Sequence, residues 1–119
     1  MTDQQTVLAR LMTVIEQRRT GPSDKSYTAR LFAGGVGRIG AKIVEEATEV
    51  VEAADESDQS GREHLIHEAA DLIYHLFVML GYRQIGLEEV EAELNRRFGT
   101  SGLVEKASRG QESAQSRDD

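Results

Sequence analysis

Apolar residues recur with a helical period along most of this chain, and they predict helices separated by short polar breaks. Near the start, the repeat consists of Val7, Leu8, Leu11, Met12 and Ile15. This repeat predicts a first amphipathic helix over about residues 3–19. The segment TGPSD at 20–24 ends it, because Gly and Pro both oppose continuation of a helix. One or two further helical turns are predicted at 26–32, ending at Gly34 and Gly35.

Two longer helices are predicted in the middle of the chain. The first runs from about residue 37 or 38 to 54, and its apolar stripe consists of Ile43, Ala47, Val50, Val51 and Ala54. The second begins at Arg62 or Glu63, after the polar turn DESDQSG at 55–61, and fades between Gly81 and Gly86. Residues 65–80 are apolar nearly all the way round the helix, which is typical of a buried helix.

The last part of the chain predicts a helix at 87–98 and a short segment at 101–109, followed by a polar tail at 110–119 that is expected to be disordered. With one proline and few alternating β-branched runs, the chain is predicted to be all-α, with a single domain over residues 1–109. The expected architecture is a helical bundle. Because a chain of 119 residues would struggle to cover the helix at 65–80 on every side, we expect a homodimer to complete the bundle.

Each of the two middle helices carries a pair of acidic residues one turn apart. Glu46 and Glu49 form the first pair, and Glu68 and Asp71 form the second. Residues three apart are neighbours on one helix face, and residues 50–67 are long enough to let the chain turn back. Four converging carboxylates would repel one another without a cation, and Mg²⁺ prefers oxygen ligands. The spacing therefore predicts a metal site suited to phosphate chemistry.

The two acidic pairs have different surroundings. Glu46 and Glu49 share a direction with Lys42, away from the apolar stripe, so a solvated acidic face is the alternative interpretation of this pair. Glu68 and Asp71 lie within the apolar run, on one side of the helix together with His75. Buried carboxylates are costly unless they are paired or bind a metal. A buried ion pair is the alternative there, although residues 65–80 contain no Lys or Arg.

Composition narrows the classes of function. The net charge of −7 argues against a nucleic-acid-binding surface. No cysteine is present, which excludes disulfides, thiolate zinc sites and thiol nucleophiles and fits a reducing cytosol. The sequence shows neither an apolar run of about 18 residues, as a membrane span needs, nor a signal pattern. We therefore expect no membrane partner and a cytoplasmic location.

Five segments occur in a characteristic order along the chain. They are SYTARLF at 26–32, KIVEEATEVVEAA at 42–54, EAADLIYHLFVML at 68–80, EVEAELNRRFG at 89–99 and SGLVEKASR at 101–109. Together they strongly resemble the phosphoribosyl-ATP pyrophosphatases, a branch of the all-α nucleoside triphosphate pyrophosphohydrolases that also include the MazG-like and dimeric dUTPase branches. The hallmark of that superfamily, E-x-x-E followed by E-x-x-D, is met by Glu46, Glu49, Glu68 and Asp71.

The resemblance implies Mg²⁺-dependent hydrolysis of N1-(5-phosphoribosyl)-ATP to N1-(5-phosphoribosyl)-AMP and pyrophosphate, the second step of histidine biosynthesis, by a cytoplasmic homodimer. Under this interpretation the four hallmark acids hold the metal, and Lys42 meets the triphosphate or else only pairs with Glu46. Glu45 and Glu46 are the candidate catalytic acids, and a solvated glutamate is the alternative for Glu45. The candidates for the base and the extra phosphate are Arg30, Ser26, Tyr27, Thr28, Lys106 and Arg109.

Three other functions are compatible with parts of the pattern. A house-cleaning pyrophosphohydrolase acting on dUTP, dCTP or damaged nucleotides would keep the metal site, but the segments at 26–32 and 101–109 argue against it. A di-iron carboxylate bundle uses Glu-x-x-His motifs, and none of the three histidines lies three residues after a Glu. A non-enzymatic helical dimer would not explain Glu68 and Asp71 within an apolar helix.

Overall fold

The structure is a computed structural model that describes residues 5–20 and 26–98. In this part of the chain it is all-helical, which confirms the predicted fold class. The helices are α1 (Val7–Thr20), α2 (Tyr27–Ala54), α3 (Gln59–Tyr82) and α4 (Leu87–Phe98). The segment predicted at 101–109 and the tail predicted at 110–119 lie outside the described residues. The single domain predicted over 1–109 also extends beyond them and stays a prediction.

The described part of the chain divides into two compact units, one ending at Leu87 and the other beginning at Glu88. In the first unit, α3 packs mainly against α2 and to a lesser extent against α1. The buried core of this unit consists of Met12, Ile15, Leu31, Ile39, Phe77 and Val78. This core therefore holds together α1, the first half of α2 and the second half of α3.

The first helix begins later than its apolar repeat predicts. Gln5 and Thr6 are not helical, and the Thr6 hydroxyl oxygen accepts a hydrogen bond from the Ala9 amide at 3.1 Å. A threonine in this position satisfies an amide that has no partner within the helix, so it caps the start of the helix. The predicted start at residue 3 is therefore wrong, and α1 begins at Val7.

The predicted break at Gly34 and Gly35 appears as a kink inside α2. Ser26 caps this helix by accepting a hydrogen bond from the Ala29 amide at 3.0 Å. Gly35 has φ 70° and ψ −165°, a conformation that residues with a Cβ rarely adopt. The short helix predicted at 26–32 and the acidic helix predicted from about residue 37 are therefore the two arms of one kinked helix.

A short turn joins α2 to α3. The Asp58 carboxylate accepts a hydrogen bond from the Gly61 amide at 2.8 Å and caps α3, which therefore starts at Gln59 rather than at the predicted Arg62 or Glu63. Gly61 is buried, and a Cβ at this position would lie 2.4 Å from the Glu56 carbonyl oxygen. Only glycine fits this close approach without a shift of the backbone.

Within the single chain, α3 has a buried face and an exposed face. Phe77 and Val78 belong to the core, whereas Ile66 is 60% exposed and Ile73 and Leu76 are exposed as well. One chain therefore leaves part of this helix uncovered, as its sequence led us to expect, and burial of the exposed face by a second copy stays a prediction. An apolar pattern does not distinguish burial within a chain from burial between chains.

In the second unit, α4 has the bounds that its sequence predicts, Leu87–Phe98. Glu93 accepts hydrogen bonds from Arg96 at 2.7 Å and from Arg97 at 2.9 Å, and these bonds lower the pKa of the Glu93 carboxyl to about 2. Across residues 5–20 and 26–98, no helix is long and apolar enough to cross a membrane.

Candidate metal centre

A glutamate lies on the buried face of α2, which we call its seam. Ile39, Glu46 and Ala53 are buried and recur every two helical turns, so they share one face of α2. Glu46 is only 6% exposed, which contradicts the alternative of a solvated acidic face. The predicted apolar stripe is partly wrong as well, because Val51 and Ala54 are exposed.

Three carboxylates from two helices meet at this seam. Carboxylate oxygens of Glu46 on α2 and of Glu68 and Asp71 on α3 all lie within 4.8 Å of one another. Glu46 Oε1 and Glu68 Oε1 are buried and have no hydrogen-bond partner. A buried carboxylate oxygen without a partner costs free energy unless a cation binds it. The donor set consists of oxygens alone, so it fits a hard divalent cation such as Mg²⁺.

The surroundings of Glu46 disfavour its charged form. Burial raises the pKa of the Glu46 carboxyl above its ordinary value, and the neighbouring carboxylates of Glu68 and Asp71 raise it further. The Lys42 ammonium acts in the opposite direction. A cation placed among the three carboxylates would lower this pKa, because it favours the charged form of each ligand.

The other acids of the predicted site are less enclosed. Glu49 is half-buried and lies outside the group of three. Glu45 is exposed, and its Oε1 accepts a hydrogen bond from Lys42 Nζ at 3.2 Å. Lys42 Nζ also lies 3.7 Å from Glu46 Oε2. The lysine therefore sits at the edge of the cluster, with its charge shared between two carboxylates.

Two histidines of α3 contact the candidate ligands, and the sequence analysis did not identify them. His64 Nε2 lies 3.1 Å from Glu68 Oε2, and His64 Nδ1 lies 3.3 Å from Glu56 Oε2. Its bond to Glu56, more than any other contact, raises the pKa of the His64 imidazole. His67 Nε2 lies 3.4 Å from Asp71 Oδ2. Both histidines stand four residues before an acid of the hallmark, and this spacing could have indicated them.

The hydroxyl groups predicted to bind substrate are mostly used inside the protein. Ser26 caps α2, and Thr28 is buried with its hydroxyl hydrogen-bonded to that of Tyr74. Tyr27 is 39% exposed, and its hydroxyl lies 2.8 Å from His75 Nε2. Arg30 is exposed. The last two predicted residues, Lys106 and Arg109, lie outside the described residues.

Comparisons with known proteins identify the family of this chain. The family model described as phosphoribosyl-ATP pyrophosphohydrolase matches residues 8–98. A phosphoribosyl-ATP pyrophosphatase of Rhodopirellula baltica is 58% identical over 102 residues, which cover 86% of this chain and 85% of the relative. The enzymes of the same name from Rhodobacter capsulatus and Geobacter metallireducens are 49% and 46% identical. They match over 88% and 94% of this chain and 99% and 100% of their own lengths. The chain therefore belongs to the phosphoribosyl-ATP pyrophosphohydrolase family.

Proposed function

We propose that this protein hydrolyses phosphoribosyl-ATP to phosphoribosyl-AMP and pyrophosphate, with Mg²⁺ held by Glu46, Glu68 and Asp71. Family membership supports the reaction, since the relatives that match most of the chain are named for this substrate. The observation that carries the role of the metal is the pair of buried, unpartnered oxygens, Glu46 Oε1 and Glu68 Oε1, within the group of three carboxylates.

The chemistry requires water to attack a phosphorus atom that is surrounded by negative charge. When bound, Mg²⁺ would neutralise part of that charge and make the attacking water more acidic. Lys42, whose ammonium lies at the edge of the cluster, supplies a further positive charge to the phosphate oxygens. Glu49, half-buried one turn after Glu46, is the remaining hallmark acid and completes the ligand set when substrate is present.

Of the two predicted catalytic acids, Glu46 belongs to the group of three carboxylates, whereas Glu45 does not. Because Glu46 would help to hold Mg²⁺, a water bound to the same cation would be within reach of its carboxylate. Glu45 is exposed and bonded to Lys42, so its role is to hold the ammonium group in place. We therefore assign removal of the proton from the attacking water to Glu46 and a positioning role to Glu45.

The proposed functional assembly is a homodimer. Ile66, Ile73 and Leu76 form an exposed apolar face on α3, the helix that supplies two of the three carboxylates. A second copy of the chain offers an identical face, and a two-fold dimer would bury both at once. The partners of the protein are then the nucleotide substrate and its own copy. The cytoplasmic location expected from the sequence stays a prediction.

Product analysis of the purified protein tests this function. The protein is incubated with MgCl₂ and a panel containing phosphoribosyl-ATP, ATP, dUTP and dCTP, and the products are separated by anion-exchange chromatography. We expect phosphoribosyl-AMP and pyrophosphate, no turnover with EDTA, and no turnover by Glu68→Gln. Efficient hydrolysis of dUTP or dCTP without hydrolysis of phosphoribosyl-ATP would instead support the house-cleaning alternative.

A further inference from the structure

Three rings form a cluster that the proposed reaction does not yet use. The rings of Tyr27 and Tyr74 are nearly parallel, with centroids 6.2 Å apart. The imidazole of His75 meets both edge-on, with centroids 5.7 Å from Tyr27 and 5.0 Å from Tyr74. Tyr27 belongs to the first turn of α2, whereas the other two residues belong to α3. The cluster therefore fixes the start of α2 on α3.

His75 determines the hydrogen bond of Tyr27. Its side chain is buried, at 4% exposure, and its Nδ1 lies 2.8 Å from the Asp71 carbonyl oxygen. A carbonyl only accepts, so Nδ1 carries the proton and donates it. In the neutral imidazole, Nε2 is then an acceptor. It accepts a hydrogen bond from the Tyr27 hydroxyl, and the oxygen and nitrogen atoms are 2.8 Å apart. The Tyr27 hydroxyl is therefore committed to a buried partner.

Tyr27 remains 39% exposed although its hydroxyl is bonded to the buried His75. The Tyr27 hydroxyl is bonded to His75, and His75 is bonded to the carbonyl oxygen of Asp71, so the tyrosine is joined to a residue of the metal centre. His75 lies four residues after Asp71, a rise of about 6 Å along α3. The Tyr27 ring, which contacts His75, is therefore placed near the residues of the metal centre.

We propose that the Tyr27 ring is a stacking platform for the purine base of a nucleotide whose phosphates bind at the metal centre, and that His75 is the positioning residue that holds this ring. The proposal rests on the proposed function to the extent that the phosphates must bind at Glu46, Glu68 and Asp71. Every base has a π face, and stacking on an aromatic side chain strengthens binding by about 5- to 150-fold. A base carrying positive charge would gain further from the face of the ring.

Two probes distinguish binding of the base from binding of the phosphates. The first is α,β-methylene-ATP, which is not cleaved between its α and β phosphorus atoms, and the second is inorganic tripolyphosphate, which has no base. Their Kd values are measured by calorimetry with MgCl₂. We expect Tyr27→Ala to weaken binding of the nucleotide analogue by about tenfold or more and to leave binding of tripolyphosphate unchanged. The matched control is Tyr82→Ala, which removes another partly exposed tyrosine of the same unit and should affect neither probe.

The role of His75 is tested by variants that remove or keep its hydrogen bond with Tyr27. His75→Leu and Tyr27→Phe should each weaken binding of the nucleotide analogue several-fold, and the double variant should be no weaker than either single one. His75→Gln keeps a side-chain acceptor and should restore most of the affinity. Equal losses on both probes, together with a lowered Tm, would show that His75 only supports the fold and would overturn the positioning role.

Failure of this proposal is distinguishable from failure of the proposed function. Normal binding of the analogue by Tyr27→Ala overturns the stacking platform and leaves the metal centre intact. Absence of tripolyphosphate binding by the unmodified protein in Mg²⁺ overturns the phosphate site, and the stacking proposal falls with it.

Discussion

His64 Nε2 lies 3.1 Å from Oε2 of Glu68, the carboxylate whose other oxygen is buried without a hydrogen-bond partner. The imidazole therefore holds one oxygen of this ligand and leaves the other to a cation. Removing a group that orients a metal ligand commonly weakens metal binding by about 10- to 100-fold. We expect His64→Ala to weaken binding of Mn²⁺, used as a paramagnetic substitute for Mg²⁺, by about tenfold in an EPR titration.

Glu63→Ala is the control for this variant, because Glu63 is an exposed acid of the same helix that is bonded to Gln59. It should bind Mn²⁺ as the unmodified protein does. An unchanged Mn²⁺ affinity in His64→Ala would mean that the imidazole does not orient Glu68.

The three converging carboxylates should each be required for turnover. Glu46→Gln, Glu68→Gln and Asp71→Asn each remove a charged ligand from the group within 4.8 Å. We expect kcat/KM to fall by more than the roughly 10- to 100-fold that is typical for groups that only orient a ligand. Glu52→Gln, an exposed acid on α2, is the control and should retain activity. Near-normal turnover by Glu68→Gln at saturating Mg²⁺ would show that the metal centre lies elsewhere.

The sequence motif and the structure place Glu49 differently. The hallmark makes it a fourth ligand, whereas its side chain lies outside the group of three. We expect Glu49→Gln to lower kcat as well, because we propose that Glu49 joins the ligand set when Mg²⁺ and substrate bind. The Tm of the metal-free protein should stay unchanged. A change in that Tm as large as the change in Glu46→Gln would place Glu49 inside the metal-free cluster.

The stability of the metal-free protein should depend on pH through Glu46. Its pKa in the folded protein is raised above the ordinary value of 4.5, so the folded state binds this proton more tightly than the unfolded state. The resulting stabilisation is complete below about pH 4.5 and is lost as the pH rises through the raised pKa. In EDTA, Glu46→Gln should therefore be more stable than the unmodified protein at neutral pH, and the difference should shrink on acidification.

Urea unfolding at several pH values measures this difference directly. Adding Mg²⁺ should reverse its sign at neutral pH, since the cation stabilises the unmodified protein and not the variant. A difference that is independent of pH would mean that Glu46 is solvated in the metal-free protein.

The exposed apolar face of α3 should control self-association. Ile73→Asp places a charge on this face and is expected to produce monomers in sedimentation at micromolar concentration, with a lowered Tm. Val7→Asp is the control, because Val7 is an exposed apolar residue of α1. The Tm of the unmodified protein should also rise with protein concentration. A well-folded monomer of the unmodified protein under these conditions would contradict the dimer.

Selectivity for the extra phosphate of phosphoribosyl-ATP is predicted to depend on Lys106 and Arg109. A chain ending at Phe98 should lose orders of magnitude of activity on phosphoribosyl-ATP, because each charge-assisted bond contributes about 1.5–3 kcal/mol. Weak hydrolysis of ATP should persist. A chain ending at Arg109, which lacks only residues 110–119, is the control and should be fully active. Equal losses on both substrates with a lowered Tm would indicate that residues 101–109 only support the fold.

The sequence predicted the paired helices and their acids because both rest on local spacing. The bounds of α4 and the pairing of Glu68 with Asp71 follow from periods along one helix, which a linear pattern contains. The alternative of a solvated face for Glu46 was wrong, because a helical wheel counts a glutamate as polar and assigns it to the solvent. In the structure the seam of α2 runs through this residue, since the carboxylates of α3 lie opposite it.

The features that the sequence did not predict depend on contacts between distant parts of the chain. The bond from Tyr27 to His75 joins residues 48 positions apart, and no local period indicates it. The position of His75 within the apolar run does not indicate its partner. Thr28 is a candidate for substrate binding in the sequence, whereas its hydroxyl bonds to Tyr74 inside the protein.

The turn at Gly61 sets the phase between the two acidic helices. Any side chain at this position would collide with the Glu56 carbonyl oxygen, and Asp58 fixes where α3 begins. Each residue advances a helix by about 100°, so one residue inserted in α3 between Gly61 and Glu68 would rotate Glu68 and Asp71 about the helix axis relative to this turn. The number of residues between the turn and the carboxylates therefore matters to the geometry of the site as much as the identity of the carboxylates.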